Sequence, residues 1–515
     1  MAETKLSGFK YPFGEESCEH ELQVLREQYP RYYYDLGRFN NDVINSDTYL
    51  IIGRRGAGKS SLAKYLEFQY AIKNARCIDV DEPSVYEEAF REMAAHSSHS
   101  GDLLVSHLVK VWDYMIWSLI FDKYRHADPD IEAACFFTDR NAGYGRFIAD
   151  LLKQLAGRIL KDGNNSLADK LEDQIASAKF LEAQKKVLKL TPTKPVIVAI
   201  DTLERFDKDD DKLMDMTAAL VQCASRFNVA HAGRGIHVKI FIAAEIFPHL
   251  KEAAISNPTK FIRHPVYLHW RPRDLMHLIC WRFHRYLEQR ELLPKEAAGG
   301  VDWENFRDVL AGMWRPFFGE EIVHDGIRER TFPYILRHTQ MRPRQLVVLC
   351  NAVAKKSMQT GEFPRFNSKQ IVRVIKETAA ELAGEVINSY ARIYPRVGEI
   401  LDALQTAPML FDGSHLDRVA KKTAYAWPVG SYAMANFRKL VAELGVVGRV
   451  RSYDEKSRIV AADFEYALTD RLPLHNDDKC VIHPMFYTKL QTNLDQKLVI
   501  YPFPDHPDYE EIQEY

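Results

Sequence analysis

The chain is poor in cysteine, with seven in 515 residues, and none stands in a C-x-x-C pair. That spacing supplies no zinc site, and an odd, scattered set fits a disulfide scaffold badly. Reduced thiols and a cytoplasmic location are therefore expected. No secretory signal is expected in Met1–Gly14, which is polar and carries Glu3. No apolar run is long and clean enough to promise a membrane span. The best one, Leu103–Phe121, is broken by His107, Lys110 and Asp113. Its Trp112, Met115, Ile116 and Leu119 recur at helical spacing, the pattern of an amphipathic helix. Neither sign of charge is in excess: 69 basic against 71 acidic side chains leave a net charge of −2, so any nucleic-acid role has to rest on a local patch. H-E-x-x-H and G-x-S-x-G are absent, which removes the chemistries those patterns mark. Internal repeats and low-complexity tracts are absent too.

What is present is a globular composition, 46% hydrophobic and 27% charged, in a chain long enough for roughly three domains. Tyr32, Tyr33, Tyr34 and Phe39 form an aromatic cluster before the first strand and are expected to pack on the domain that follows. Thr48–Gly53 and Val196–Asp201 read as buried strands, with Cys77–Val80 and His237–Ala244 as two more. Between them, Tyr86 to about Leu190 reads as helical. Lys59–Tyr70 reads as a helix with Leu62, Leu66 and Tyr70 on one side. Strands alternating with helices predict an α/β fold, a parallel sheet with helices on both faces. Beyond Trp270 the pattern turns helical, with helices at Arg273–Leu287 and Gln345–Lys356 and no clear strand before about Pro395.

The most specific feature is Gly53-Arg54-Arg55-Gly56-Ala57-Gly58-Lys59-Ser60, followed by Ser61, which fits G-x-x-x-x-G-K-[ST] at every position. Glycines let successive N–H groups converge on one point, and the helix that starts at Lys59 adds its free amides and dipole, so the turn attracts phosphate. Lys59 is expected to bridge the β- and γ-phosphates of ATP, and Ser60 to ligate Mg²⁺. The strand ending at Asp201 supplies a carboxylate for the magnesium. Glu204 is the candidate to polarise the attacking water, or else pairs with Arg205. Asp207, Asp209, Asp210 and Asp211 read as a solvated loop, and Glu245 as either a polar sensor or a structural residue. Arg234 and Arg263 are candidates to reach a neighbouring copy's γ-phosphate. Arg342 and Arg344, flanking Pro343 at a helix start, are candidates to contact the nucleotide.

GRRGAGKSSL at 53–62, VIVAIDTLERFD at 196–207, HWRPRDL at 269–275, RPRQLVVLCN at 342–351 and IHPMF at 482–486 together resemble the STAND and AAA+ branch of P-loop ATPases, especially its bacterial members. The first two segments are the specific ones. The resemblance implies a P-loop ATPase core, a helical lid and a winged-helix domain, with an origin-recognition-like arrangement. On this reading residues 1–47 are an N-terminal segment, 48–270 the core with a helical insertion at about 86–190, 271–390 the lid, 391–500 the winged helix and 501–515 an acidic tail. It also implies an ATP-driven switch that forms a homo-oligomer or controls an effector protein on a separate chain, in antiviral defence or signalling. DNA binding, as in initiators, is the alternative, and a scaffold that merely holds ATP is a third. Two departures stand out: about 140 residues separate Lys59 from Asp201, and the acidic motif reads DTLE rather than a DE pair, which suits a slow switch better than a motor. In the C-terminal module, Met434, Phe437, Leu440, Val441 and Leu444 share one helix face. Asn436, Arg438 and Lys439, with Arg449, Arg451, Lys456 and Arg458 of the hairpin that follows, are the candidate DNA-facing groups, diluted by Glu443.

Overall fold

Apolar runs, buried along most of their length, form the central strands of the first of two compact units. A computed structural model of the chain describes residues 8–34, 43, 48–64, 72–80, 85–89, 91, 102–137, 143–161, 171, 173–202, 211–253, 255, 258–293, 300–468 and 470–503. Asp35–Leu268 form one unit, and Met1–Tyr34 with His269–Tyr515 form the other.

In the first unit, β1 (Leu50–Gly53), β2 (Arg76–Val80), β3 (Val196–Asp201), β4 (Ile236–Ala243) and β5 (Val266–Tyr267) make an all-parallel sheet in the order β2-β3-β4-β1-β5. Val196 through Ile200 are all 0% exposed. A strand buried on both faces needs helices on both, and the run is apolar throughout for that reason. Because the strands are parallel, the turns after β1, β3 and β4 open at one edge of the sheet, where ligands of such sheets bind.

Helix Asp102–Tyr124 differs from its expected amphipathic character. It packs along helix Asp211–Ala230 and also against β2, β3 and helix Ala178–Leu190, and its Trp112, Ile116, Leu119, Ile120 and Phe121 are fully buried. A helix enclosed on several sides has to be apolar around most of its circumference. Leu104–Ala127 is accordingly long and apolar enough to cross a membrane by length and composition, yet 78% of its most apolar window is buried inside the unit. Trp112 Nε1–H donates to the Met216 carbonyl at 3.1 Å and ties the two helices together. Leu66 and Tyr70 lie outside the described residues.

The second unit begins with the N-terminal segment. Phe13 stacks on Phe283 at 4.8 Å, Tyr34 lies 6.4 Å from Trp281, and Arg282 pairs with buried Glu21 at 2.9 Å. The aromatic cluster thus joins the unit that begins at His269, not the sheet that follows it in sequence. Phe39 lies outside the described residues. Helices Pro272–Gln289, Pro343–Thr360 and Ser368–Ser389 frame the lid. It also holds a hairpin that the sequence reading lacked, β6 (Glu321–His324) with β7 (Ile327–Arg330). Its turn is Asp325-Gly326, with φ of 51° and 79°, the left-handed pair that a tight hairpin requires.

The winged-helix domain follows, with helices Val397–Asp402, Ser414–Lys421 and Met434–Glu443. Its sheet has five strands in the order β12-β10-β9-β11-β8. The hairpin expected at Val446–Arg451 and Arg458–Leu468 forms as β9 (Val447–Asp454) and β10 (Ile459–Asp463), and is joined by β8 (Leu410–Asp412), β11 (Lys479–Ile482) and β12 (Val499–Tyr501). These three are only three or four residues long, too short for periodicity to reveal.

Candidate functional site

The motif turn leaves β1 and closes on itself before its helix. Ala57 N–H donates to the Arg54 carbonyl at 3.0 Å, and Leu62 N–H to Gly58 O at 3.1 Å. Gly56 and Gly58 have φ of 81° and 96°, so their backbones lie where other residues are strained. Gly53 is closely packed: a Cβ there would lie 3.1 Å from Lys59 Cγ and 3.2 Å from Leu268 Cδ1, so both side chains would have to give. Lys59 opens helix Lys59–Ala63 and is only 4% exposed, with its ammonium 3.4 Å from the Arg54 carbonyl. Ala57 is buried, while Arg54, Arg55, Gly58, Ser60 and Ser61 are half-buried.

Two carboxylates reach this turn, one from the end of β3, two strands away in the sheet, and one from just past the adjacent β4. Ser60 Oγ donates to Asp201 Oδ2 at 3.3 Å, although 141 positions separate them in sequence. Arg55 N–H donates to Glu245 Oε1 at 3.2 Å, just past the end of β4. Asp201 is held in place by its backbone, since its carbonyl accepts from Tyr86 O–H at 2.6 Å. Next to it, Thr202 Oγ1 donates to Phe241 O at 2.8 Å. Tyr86 and Thr202 were not singled out from the sequence, and only pairing of β3 with its neighbours brings them here. Glu204, Arg205 and Asp207–Asp210 lie outside the described residues.

The arginine candidates sit elsewhere. Exposed Arg234 precedes β4, its carbonyl accepting from Thr191 Oγ1 at 2.6 Å, and exposed Arg263 precedes β5. Both occupy the amino ends of strands, opposite the edge that bears the motif, so neither serves the turn of its own sheet. Arg342 and Arg344 belong to the second unit. Arg342 is 5% exposed and donates to Gln340 Oε1 at 2.6 Å, and Gln340 in turn donates to the Leu444 carbonyl at 2.8 Å.

In the winged helix, Arg438 does not face solvent as expected. Its guanidinium donates to Asp417 Oδ1 at 2.9 Å, to Gly413 O at 2.9 Å and to Leu474 O at 2.8 Å, bracing the domain from within. Glu443 is buried rather than exposed, and it accepts from Tyr394 O–H at 2.7 Å and from Arg471 at 2.9 Å. Met434 is 39% exposed, whereas Phe437, Leu440, Val441 and Leu444 form the buried face. Arg451 pairs with Asp463 at 3.3 Å, while Lys456 and Arg458 stand exposed at the hairpin tip.

Fold and site together define a P-loop NTPase architecture: a parallel sheet whose first strand hands over to the phosphate-binding motif, followed by a helical lid and a winged helix. No protein-family model matches the chain, and no curated protein does. Three solved chains match, among them the ORC2 protein of Aeropyrum pernix, solved as ADPNP–ADP complexes. That similarity spans 92% of this chain and 94% of the other at 14% identity, with a TM-score of 0.24, and at that level it carries no part of the argument.

Proposed function

We propose that the chain binds ATP and Mg²⁺ in the turn Gly53–Ser61 and hydrolyses the nucleotide slowly, as a switch that controls assembly with further copies of itself or with a partner protein. The observation that carries this reading is the 3.3 Å approach of Ser60 Oγ to Asp201 Oδ2 beside the motif turn. Hydroxyl and carboxylate oxygens side by side suit magnesium, which takes waters and phosphate oxygens as its remaining ligands. The ion, when bound, offsets charge on the phosphates. The backbone amides of the turn and the Lys59 ammonium bind and orient the phosphates, and Ser60 and Asp201 hold the metal. Glu204 accepts the proton of the attacking water. Arg234 and Arg263 act on a neighbouring copy. Antiviral defence or signalling is the setting that the sequence resemblance suggests.

Calorimetric titration with ATP and magnesium is the direct test. Wild-type protein should bind, Lys59→Ala should bind about a hundredfold more weakly, and Glu204→Gln should bind but release no phosphate. A wild-type sample that gives no heat ends the reading. DNA binding is a second reading, supported by exposed Lys456 and Arg458 at the wing tip. It predicts duplex binding at about 50 mM salt, where phosphate contacts are strong.

A further inference from the structure

We propose that Tyr86 and Thr202 are positioning residues of the magnesium site: their hydroxyls fix the carboxyl end of β3 and so aim Asp201 at Ser60. The inference rests on the reading that Ser60 and Asp201 hold the metal.

The sheet by itself holds this end of the strand on one side. β3 runs to Asp201, whereas its ladder with β2 closes one residue earlier, at Val80 opposite Ile200. Along a strand, the N–H and C=O of one residue point to the same neighbour, and successive residues alternate. Thr202 N–H donates to the Phe241 carbonyl at 3.0 Å, so Thr202 faces β4 and Asp201 faces the side where the β2 ladder has closed. A carbonyl at the end of a buried strand needs a donor. Tyr86 supplies it, its O–H donating to Asp201 O at 2.6 Å. On the β4 side the Thr202 hydroxyl adds a second bond to the Phe241 carbonyl, at 2.8 Å.

Both hydroxyls act from packed positions. Tyr86 lies in a helical segment at 85–89, is 1% exposed, and meets Trp112 edge-on at 6.3 Å. Trp112 is itself buried and tied to the Met216 carbonyl at 3.1 Å. Thr202 and Phe241 are buried as well. The Asp201 side chain is only half-buried, and its Oδ2 stands 3.3 Å from Ser60 Oγ. Paired ligands serve a metal only when held to about 0.5 Å, so a strand end that drifts loses the ion before it loses the phosphates.

The test is calorimetric titration of the full-length protein with ATP, over a series of MgCl₂ concentrations and in EDTA. In Tyr86→Phe and in Thr202→Val, the magnesium concentration giving half of the rise in ATP affinity should increase about three- to tenfold. Affinity in EDTA should stay at the wild-type value, which a general loss of structure would not allow. Thr217→Val removes a similarly buried hydroxyl, one that donates to Leu213 O at 3.0 Å within helix Asp211–Ala230, and should leave the magnesium requirement unchanged. An unchanged requirement in Tyr86→Phe would overturn the proposal, as would an equal increase in Thr217→Val. Should Tyr86→Phe fail to fold, Thr202→Val decides by the same criterion. Failure of the metal site itself looks different: the ATP affinity of the wild-type protein would not respond to magnesium, and the inference would end with it.

Discussion

The motif turn and the core of the second unit handle charge differently. At the turn, charged groups attach to its backbone or to its hydroxyl: Lys59 to the Arg54 carbonyl, Glu245 to the Arg55 amide, Asp201 to Ser60; ion pairs of the sheet unit, Arg125 with Asp122 at 2.8 Å and Lys64 with Asp79 at 2.7 Å, stand elsewhere. In the core of the second unit, charged groups attach chiefly to one another. Arg337 and Glu329 are both nearly fully buried and joined at 2.9 Å, with Tyr501 O–H donating to the same carboxylate at 3.3 Å. Arg438 meets Asp417, and Arg471 meets Glu443. Charge attached to a loop can turn to an incoming ligand, whereas charge paired within a core ties elements together. A buried pair braces the fold because either member alone would be stranded away from water.

That contrast can be broken by experiment. The largest effect is expected from Glu329→Ala, which leaves the Arg337 guanidinium without its partner and should cost about 3–5 kcal/mol in urea unfolding. ATP binding should be unchanged in the folded fraction, and a selective loss of binding would erase the distinction between turn and core. Next, Lys59→Ala should weaken ATP binding by about a hundredfold, the size of a lost charge-assisted contact, with little change in melting temperature. Arg438→Ala should destabilise by about 1–3 kcal/mol through its lost hydrogen bonds. It should not change the salt dependence of any DNA binding, and a reduced slope would return Arg438 to the nucleic-acid surface.

The smallest effect concerns Asp113, on the buried helix of the sheet unit. Burial pushes its carboxyl up to about 6. With the folded value raised above the unfolded one, the associated stability is present at low pH and is lost as pH rises through about 6. Asp113→Asn should therefore raise the melting temperature by a few degrees above pH 6, and the gain should fade as pH drops towards 4. A gain independent of pH would point to packing instead of ionisation.

Much of the sheet unit was legible in the sequence because its signals are local. A run such as Val196–Ile200 has few ways to be buried other than as a central strand, and Gly53–Ser60 encodes its turn through glycines at positive φ and a lysine at the helix start. The second unit was harder to read. Asp325-Gly326 is a hairpin turn signal, but its flanking strands of four residues each are too short for alternation to mark them. The short strands β8, β11 and β12 give no period at all. Arg438 and Glu443 were misread for a related reason: helical spacing assigns a face, but it cannot say that another segment covers that face.

By itself the sequence determined the glycine-rich turn and the strands that lead to it, since each depends on residues close together in the chain. Only the tertiary structure decided that Asp201 stands beside Ser60, that Glu245 holds the Arg55 amide, and that Arg438 of the C-terminal helix binds inward. Those pairings join residues 21 to 190 positions apart. What selects them is the burial of whole faces, to which no single residue's neighbours in sequence bear witness.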